Sequence, residues 1–447
     1  MCVDILLPQG PIPAPDALKT ASFLDDLASR DVPTSAWEIG GNCNFLVAAS
    51  RVGLRCECVG HVDDDAHGRF LVDALAEEGV PFRRICSREL VDAAVADREK
   101  ARGELGNSDA RARDEENAAD AFSTLKCFVL TDGAGGHAFC SRYDLGPWPL
   151  FPDVRAVDDD AARALGRCRA VFVNGFVFDE MAPAAVGSAI AIAKANGADV
   201  FFDPGPRAFT FVKKDSERRE ALDLILGAAD VILATLDEAA ALVGGEEEGG
   251  GGGGGSADGA LESSTAVGAS YAEAEGYGKM DPLSAATALF RRPGCVAEWV
   301  VIKCGPDGAS VFTRRGDQVY VGSPRVEVGD TVGCGDSAAA AVVLGYAEIK
   351  KARKKLFDAS SGKIAYLPNA KLAGMMEATL TLATAVGAAT ATKKGAGRNV
   401  ADLETVEALL DKCAEDEEAC AGFGGNADAS ERAKKMLDES LRRGGKR

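Results

Sequence analysis

The sequence predicts an α/β protein built on a mostly parallel central sheet. Short apolar runs that end in polar residues or glycine, such as "AVFVNGF", "ADVFFDPG" and "DVILAT", alternate with helical stretches. That order is what parallel strands joined by crossover helices require. The chain has 447 residues, 47% of them hydrophobic, enough for a sizeable core. Glycine and acidic turns follow several of the strands, where open α/β sheets place their ligands.

Taken in order, "CVDILL" opens the chain as a strand. From Trp37 to Val80 the pattern is strand ("WEIGG"), helix ("NCNFLVAASRVG"), strand ("RCECVGHV") and helix ("GRFLVDALAEEGV"). A charged insertion spans about 97–120 and leads to the strands "KCFVLTD" and "HAFCSRYD". Strand "AVFVNGF", a helix from about Pro183 to Asn196, strand "ADVFFDPG", a helix around Glu217 to Ala228, strand "DVILAT" and helical "DEAAALVG" follow. The stretch "EEEGGGGGGGSADGALESS", inside an insertion at about 246–281, cannot bury enough apolar surface to order itself. "EWVVIKCGPDGASVFTR" then reads as strand, turn and strand, and "VEVGDTVGCGDSAAAAVVLGY" opens a long alanine-rich helix. Its basic end, "KKARKKLFDASSGK", belongs to an insertion at about 350–371 and reads as a solvated helix end. A second alanine-rich helix, "TLTLATAVGAATATKKGAGRN", runs into another glycine turn. One domain spans 1–412, and 413–447 is a charged tail.

A formal net charge of -19 excludes broad contact with a nucleic-acid backbone, which rests on clustered Lys and Arg. The 13 cysteines are scattered and contain no C-x-x-C pair, so they read as reduced thiols of a cytosol-like compartment. His61, His67 and His137 are too dispersed for a zinc site. No apolar run stands out as a membrane span, and the N-terminus shows neither a basic leader nor a cleavage site. The abrupt start leaves room for a presequence, so the expected compartment is cytoplasmic or plastid.

The chemistry concentrates at Asp330 to Asp336. Gly333 and Gly335 let bare N–H groups approach a ligand at a helix N-terminus, a geometry that suits an anion. Asp336 is awkward beside an anion unless it has work to do. Phosphoryl transfer resolves this: the backbone from Gly333 through Cys334 and Gly335 to Asp336 holds the charge on the transferred group, while the Asp336 carboxylate takes the proton of the attacking hydroxyl. "GCGDSA" also satisfies a loose dinucleotide pattern after the strand-like "RVEV", which would make the protein a Rossmann oxidoreductase with a nicotinamide cofactor. Against that reading, the helix runs on into basic residues rather than to a second strand ending in an acid.

"DTVGCGD" resembles the D-T-x-G-x-G-D signature of the ribokinase-like, or PfkB, carbohydrate kinases. "GGNCNFLVAASRVGLRCECVGHVDDDAHG" resembles their N-terminal signature, and the likeness, closest to the plant-type branch, extends from about Cys2 to Asn399. The resemblance implies a three-layer α/β/α fold with a small β-sheet lid, formed by segments at about 5–40 and 82–146, including "ILLP", "WEIGG", "FRRICS" and "HAFCSRYD". It implies ATP and Mg2+ as cofactors and a small sugar or nucleoside as acceptor, with a homodimer through the lid. Asp4, Gly40, Gly41 and Asn42 match the acceptor site, with Asn174 and Asp203 as further pocket residues. Lys303, Gly305 and Gly308, and Lys394, Gly395 and Ala396, match the turns beside the nucleotide. Glu238 matches the N-x-x-E glutamate that organises Mg2+ through water, although Thr235 stands where that motif has Asn. Asp330, Val332, Lys393, Gly395 and Asn399 match positions that hold K+. The small Ser337 and Ala338, where an aromatic often follows the aspartate, also leave room for a catalytically weak, fructokinase-like scaffold protein.

Overall fold

The computed structural model describes residues 1–8, 11–13, 15–18, 20–102, 122–132, 137–144, 148–211, 216–244, 280–359, 369–415 and 427–446. Its strands among these residues are β1 (Cys2–Pro8), β2 (Trp37–Gly40), β3 (Cys58–Gly60), β4 (Phe82–Arg84), β5 (Leu125–Thr131), β6 (His137–Ser141), β7 (Ala170–Asn174), β8 (Asp199–Asp203), β9 (Val231–Thr235), β10 (Trp299–Lys303), β11 (Ala309–Thr313) and β12 (Gln318–Val321). Six of them form the central sheet in the order β12-β11-β10-β9-β8-β7. β7 to β10 run parallel, while β11 and β12 add an antiparallel edge.

The alternation of side chains along these strands builds two cores. Phe201, Val231, Leu233, Trp299 and Val301 face one side, with the helices Cys334–Ala359 and Asn369–Ala391. Val200, Phe202, Ile232, Ala234, Val300 and Ile302 face the other, with Pro183–Ala195, Ser216–Leu226, Leu236–Gly244 and Pro282–Arg291. A strand buried on both faces reads as a continuous apolar run, which is why "VILAT" and "WVVIK" carry no polar alternation. The result is three layers, helix on sheet on helix.

A second sheet has the order β2-β1-β5-β6, in which β1 pairs parallel with β5 and antiparallel with β2. Three of the four segments expected in the lid therefore lie together. "FRRICS" does not: its strand β4 pairs with β3 in a separate two-stranded sheet. Strand β3 offers it a parallel partner, whereas the edges of the four-stranded sheet are β2 and β6.

Several other expectations are corrected. The helix Cys334–Ala359 runs through the first ten residues of the segment read as an insertion at 350–371. The boundary at 412 falls inside the helix Leu403–Glu415, and helix Ala427–Gly444 buries Ala433, Leu437 and Leu441 in the main core. The described part of the charged tail is thus an amphipathic helix packed on the core. Helix Asn369–Ala391 is long and apolar enough to cross a membrane, contrary to the reading of the sequence, yet 72% of its apolar window is buried inside the protein. A helix apolar on all sides belongs in a core as readily as in a bilayer. Eleven described cysteines are outside any disulfide, but Cys413 is disulfide-bonded. Most of the predicted insertions at 97–120 and 246–281 lies outside the described residues.

Candidate active site

The four parallel strands of the central sheet end on Asn174, Asp203, Thr235 and Lys303. Register sets Asn174 beside Asp203 and Thr235 beside Lys303. These ends lie side by side on the edge where open α/β sheets hold ligands, and they form the floor of the candidate site. Lys303 Nζ lies 2.6 Å from Asp203 Oδ2. Burial works against the ammonium, but the charges of Asp203, Glu238 and Asp336 raise its pKa above the ordinary lysine value.

Above this floor stands the N-terminus of helix Cys334–Ala359. Gly333 enters it with φ +81°, a backbone conformation that side-chain-bearing residues rarely adopt. The N–H groups of Gly333, Gly335 and Asp336 have no hydrogen-bond partner among the described residues, as expected of a helix's first turn. Cys334 departs from the expected anion hole, because its N–H donates to Thr331 O at 3.3 Å. Its thiol is pushed up to about 12, chiefly by burial, so it stays neutral. A Cβ added at Gly335 would lie 3.4 Å from Lys303 Nζ. Glycine there leaves a cradle in which bare amides and an ammonium converge.

The Asp336 carboxyl is raised to about 7 by burial, then by the charge of Asp203, with Lys303 and Asn44 opposing and Glu238 adding. A carboxylate with that value is suited to act as a base near neutral pH. Ser337, where an aromatic was expected, is fully buried: its hydroxyl donates to Gly333 O at 2.7 Å and accepts from Thr390 Oγ1 at 3.0 Å. The small residue pins the glycine turn to the neighbouring helix.

Asp4 sits on β1, buried, and its carboxyl too is raised to about 7, by burial and by the charges of Glu38 and Asp336 against a Cys2 hydrogen bond. The charge of Asp336 thus reaches Asp4. A Cβ on Gly40 would come within 1.9 Å of Asp4 Oδ1, so only glycine permits this approach. Gly41 caps the helix Asn42–Arg51 with φ +56°. At the start of that helix, Asn42 Oδ1 is buried without a hydrogen-bond partner, the state of an acceptor that awaits a ligand donor.

Asn174 and Asp203, expected to line the acceptor pocket, are engaged within the protein. Asn174 Oδ1 accepts from Phe176 N at 3.0 Å, and Asp203 accepts from Gly205 N at 3.1 Å besides pairing with Lys303. Glu238 and Thr235 form a reciprocal cap: Thr235 N donates to Glu238 Oε2 at 2.7 Å, and Glu238 N donates to Thr235 Oγ1 at 3.2 Å. Thr therefore does the capping work of the expected Asn, and it holds Glu238 in place. Burial is the main cause that raises the Glu238 carboxyl, opposed by Lys303.

The remaining residues form two loops that Asp330 ties together. Its Oδ1 accepts from Val332 N and its Oδ2 from Gly395 N, both at 3.0 Å. Asn399 Nδ2 donates to Lys394 O at 2.7 Å, and Lys393 Nζ lies 3.6 Å from Asp402. Ala396 is buried, and its Cβ would be 3.6 Å from a Cβ on Gly333. Gly305 and Gly308 shape the turn from β10 to β11, with φ +56° and +108°. A Cβ at Gly308 would overlap Val321 O, so that glycine serves strand packing.

Sequence reasoning missed Asn44. Its Nδ2 donates to Asp336 Oδ2 at 3.4 Å, and its Oδ1 accepts from Gly397 N at 2.8 Å. It joins the lid-side helix, the base and the C-terminal glycine turn. The signal was an amide one helical step from Asn42 in "GGNCNF", but only the fold shows where it points.

Comparison with known proteins identifies the family and the fold. The profile described as "pfkB family carbohydrate kinase" matches residues 158–403, more than half of the chain. A 5-dehydro-2-deoxygluconokinase of Shouchella clausii is 23% identical over 309 residues, 69% of this chain and 73% of that protein. The structure of fructokinase from Xylella fastidiosa with bound ATP superposes with a TM-score of 0.55 at 18% identity, covering 92% of this chain and 96% of that one. Arabidopsis thaliana ribokinase complexed with ribose and ATP superposes with a TM-score of 0.53 at 15% identity, covering 91% and 95%. At these identities the structures establish a ribokinase-like α/β fold.

Proposed function

The chain belongs to the pfkB family of carbohydrate kinases, and from that premise we propose that it moves the γ-phosphoryl group of ATP to a hydroxyl of a small sugar-like acceptor. One observation carries the reading: a carboxylate held near pKa 7 stands beside unpartnered helix amides and the Lys303 ammonium, and shares its site with Asp4. Asp4 and Asn42 orient the acceptor. Asp336 takes the proton of the attacking hydroxyl, and the amides of Gly333, Gly335 and Asp336 hold the charge of the transferred group.

The residues present fit Mg2+ with the nucleotide. Glu238 is a single buried carboxylate fixed by its cap, and magnesium uses one or two carboxylates together with water and phosphate oxygens. When bound, the ion neutralises phosphate charge. Lys394, Gly395 and Ala396 would flank the nucleotide, and the loops that Asp330 joins, with Val332, Lys393 and Asn399, would hold K+. The intact Thr235 and Glu238 cap favours an active kinase over a scaffold.

The test is an ADP-release screen with Mg2+ and K+ over fructose, ribose, adenosine and 5-dehydro-2-deoxygluconate. The last is included because the curated relative carries that activity in its name. An acceptor-dependent signal that disappears in Asp336→Asn supports the reading. ATP binding without turnover on any acceptor overturns it in favour of a scaffold, and turnover on adenosine alone makes the protein a nucleoside kinase.

A further inference from the structure

Beside the acceptor carboxylate lies a group of side chains that phosphoryl transfer does not use. Cys2 and Asp4 are neighbours on one face of β1, and Cys127 lies on β5 directly opposite Asp4 in the parallel register. One ligand atom from each of the three lies within 4.8 Å of the others. Cys2 Sγ is 3.6 Å from Asp4 Oδ1. Around a tetrahedral zinc ion, with bonds of about 2.3 Å to sulfur and about 2.1 Å to oxygen, a sulfur and an oxygen ligand stand about 3.6 Å apart. The spacing needs little adjustment to hold a metal.

We propose that Cys2, Asp4 and Cys127 form a site for a thiophilic divalent cation such as Zn2+, and that its occupation blocks the acceptor. Two thiolates with one carboxylate suit zinc or cadmium and not magnesium, which prefers oxygen ligands throughout. The nearby acids Glu38 and Asp336 add negative potential at Asp4. On binding, each thiol gives its proton to solvent and the cation takes the two sulfurs and a carboxylate oxygen, with no change of oxidation state. Asp4 cannot serve the metal and an acceptor hydroxyl together. This last step rests on the reading of Asp4 as an acceptor ligand, whereas the metal site itself does not.

The full-length protein tests both. With Cd2+ as the probe, thiolate-to-metal charge-transfer absorption is expected to saturate at one tight equivalent. Cys2→Ser and Cys127→Ser are each expected to weaken that binding by more than about tenfold, loss of a ligand being at least as damaging as loss of its outer-shell support. Zn2+ is also expected to protect Cys127 from alkylation in the unmutated protein, an outcome that does not depend on a variant folding. A tight band retained in both variants, or no protection of Cys127, overturns the site. In kinetics, inhibition by Zn2+ should be relieved by more acceptor and not by more ATP, and should be lost in Cys127→Ser. A band lost in both variants without competition against acceptor would uphold the metal site and refute only the role given to Asp4.

Discussion

Replacing Asp336 with asparagine should abolish turnover and, above neutral pH, stabilise the protein. Both effects come from one cause: the site holds the carboxyl at about 7 against an ordinary 3.8. The difference of about 3 units corresponds to about 4 kcal/mol set against the ionised side chain. Asp336 is half-buried at the helix mouth, so water screens part of this, and about 2 kcal/mol is the working figure. A folded value above the unfolded one means that the folded state binds the extra proton. Its contribution to stability is therefore complete below about pH 4 and is lost as pH rises through about 7.

Asparagine carries no charge to bury, so the variant should gain on the unmutated protein as pH rises. Unfolding free energies from urea titrations should nearly coincide near pH 4 and differ by about 2 kcal/mol near pH 8. In the same preparations, loss of a general base should lower kcat by roughly 10²- to 10⁴-fold. In the unmutated protein, kcat/KM should rise with pH up to about 7 as the base ionises. An equal stability gap at both pH values, or a variant that retains its turnover, would refute the assignment of Asp336 as a buried base.

Substitutions at three further positions probe its surroundings. Gly40→Ala places a methyl group 1.9 Å from the present position of Asp4 Oδ1, so the acceptor KM should rise about tenfold or more while the ATP KM hardly moves; steady-state kinetics in both substrates will decide. Asn44→Ala removes the donor to Asp336 and leaves Gly397 N–H without its acceptor. It should cost about 1–3 kcal/mol of stability, read by urea unfolding, and lower kcat more than it raises either KM. Thr235→Val removes the hydroxyl that accepts from Glu238 N while the backbone N–H still donates to Glu238 Oε2; losing that half of the cap should cost about 1 kcal/mol and raise the Mg2+ concentration needed for half-maximal rate. Thr235→Asn should restore both, and equal Mg2+ dependence in all three proteins would disconnect Glu238 from the metal.

The fold was legible because buried parallel strands leave uninterrupted apolar runs, and "VILAT" and "WVVIK" are found where they were expected. Two glycine signatures marked the site because close approach to a ligand restricts residue choice more tightly than packing does. The partner of β4 was not legible, since a strand of only three residues can pair with several neighbours. The packed helix Ala427–Gly444 was hidden by its charge: only one stripe of an amphipathic helix needs to be apolar. Asn44 and the pairing of Lys303 with Asp203 depend on contacts 292 and 100 residues apart, which local pattern cannot reveal.

The charge around the crevice explains why these parts work together. Asp203, Glu238 and Asp336 gather about Lys303, whose ammonium is paired with Asp203 and lies beside Gly335. Such a site repels a bare nucleotide, whose phosphates would add to an existing excess of negative charge. It accepts the nucleotide most readily when cations accompany it. Cations on the phosphates would also offset the repulsion from Asp203 and Glu238, which adds to burial in raising the Asp336 carboxyl. Filling would thus ready the site for transfer, while Lys303 and the helix amides fix where the negative charge can settle.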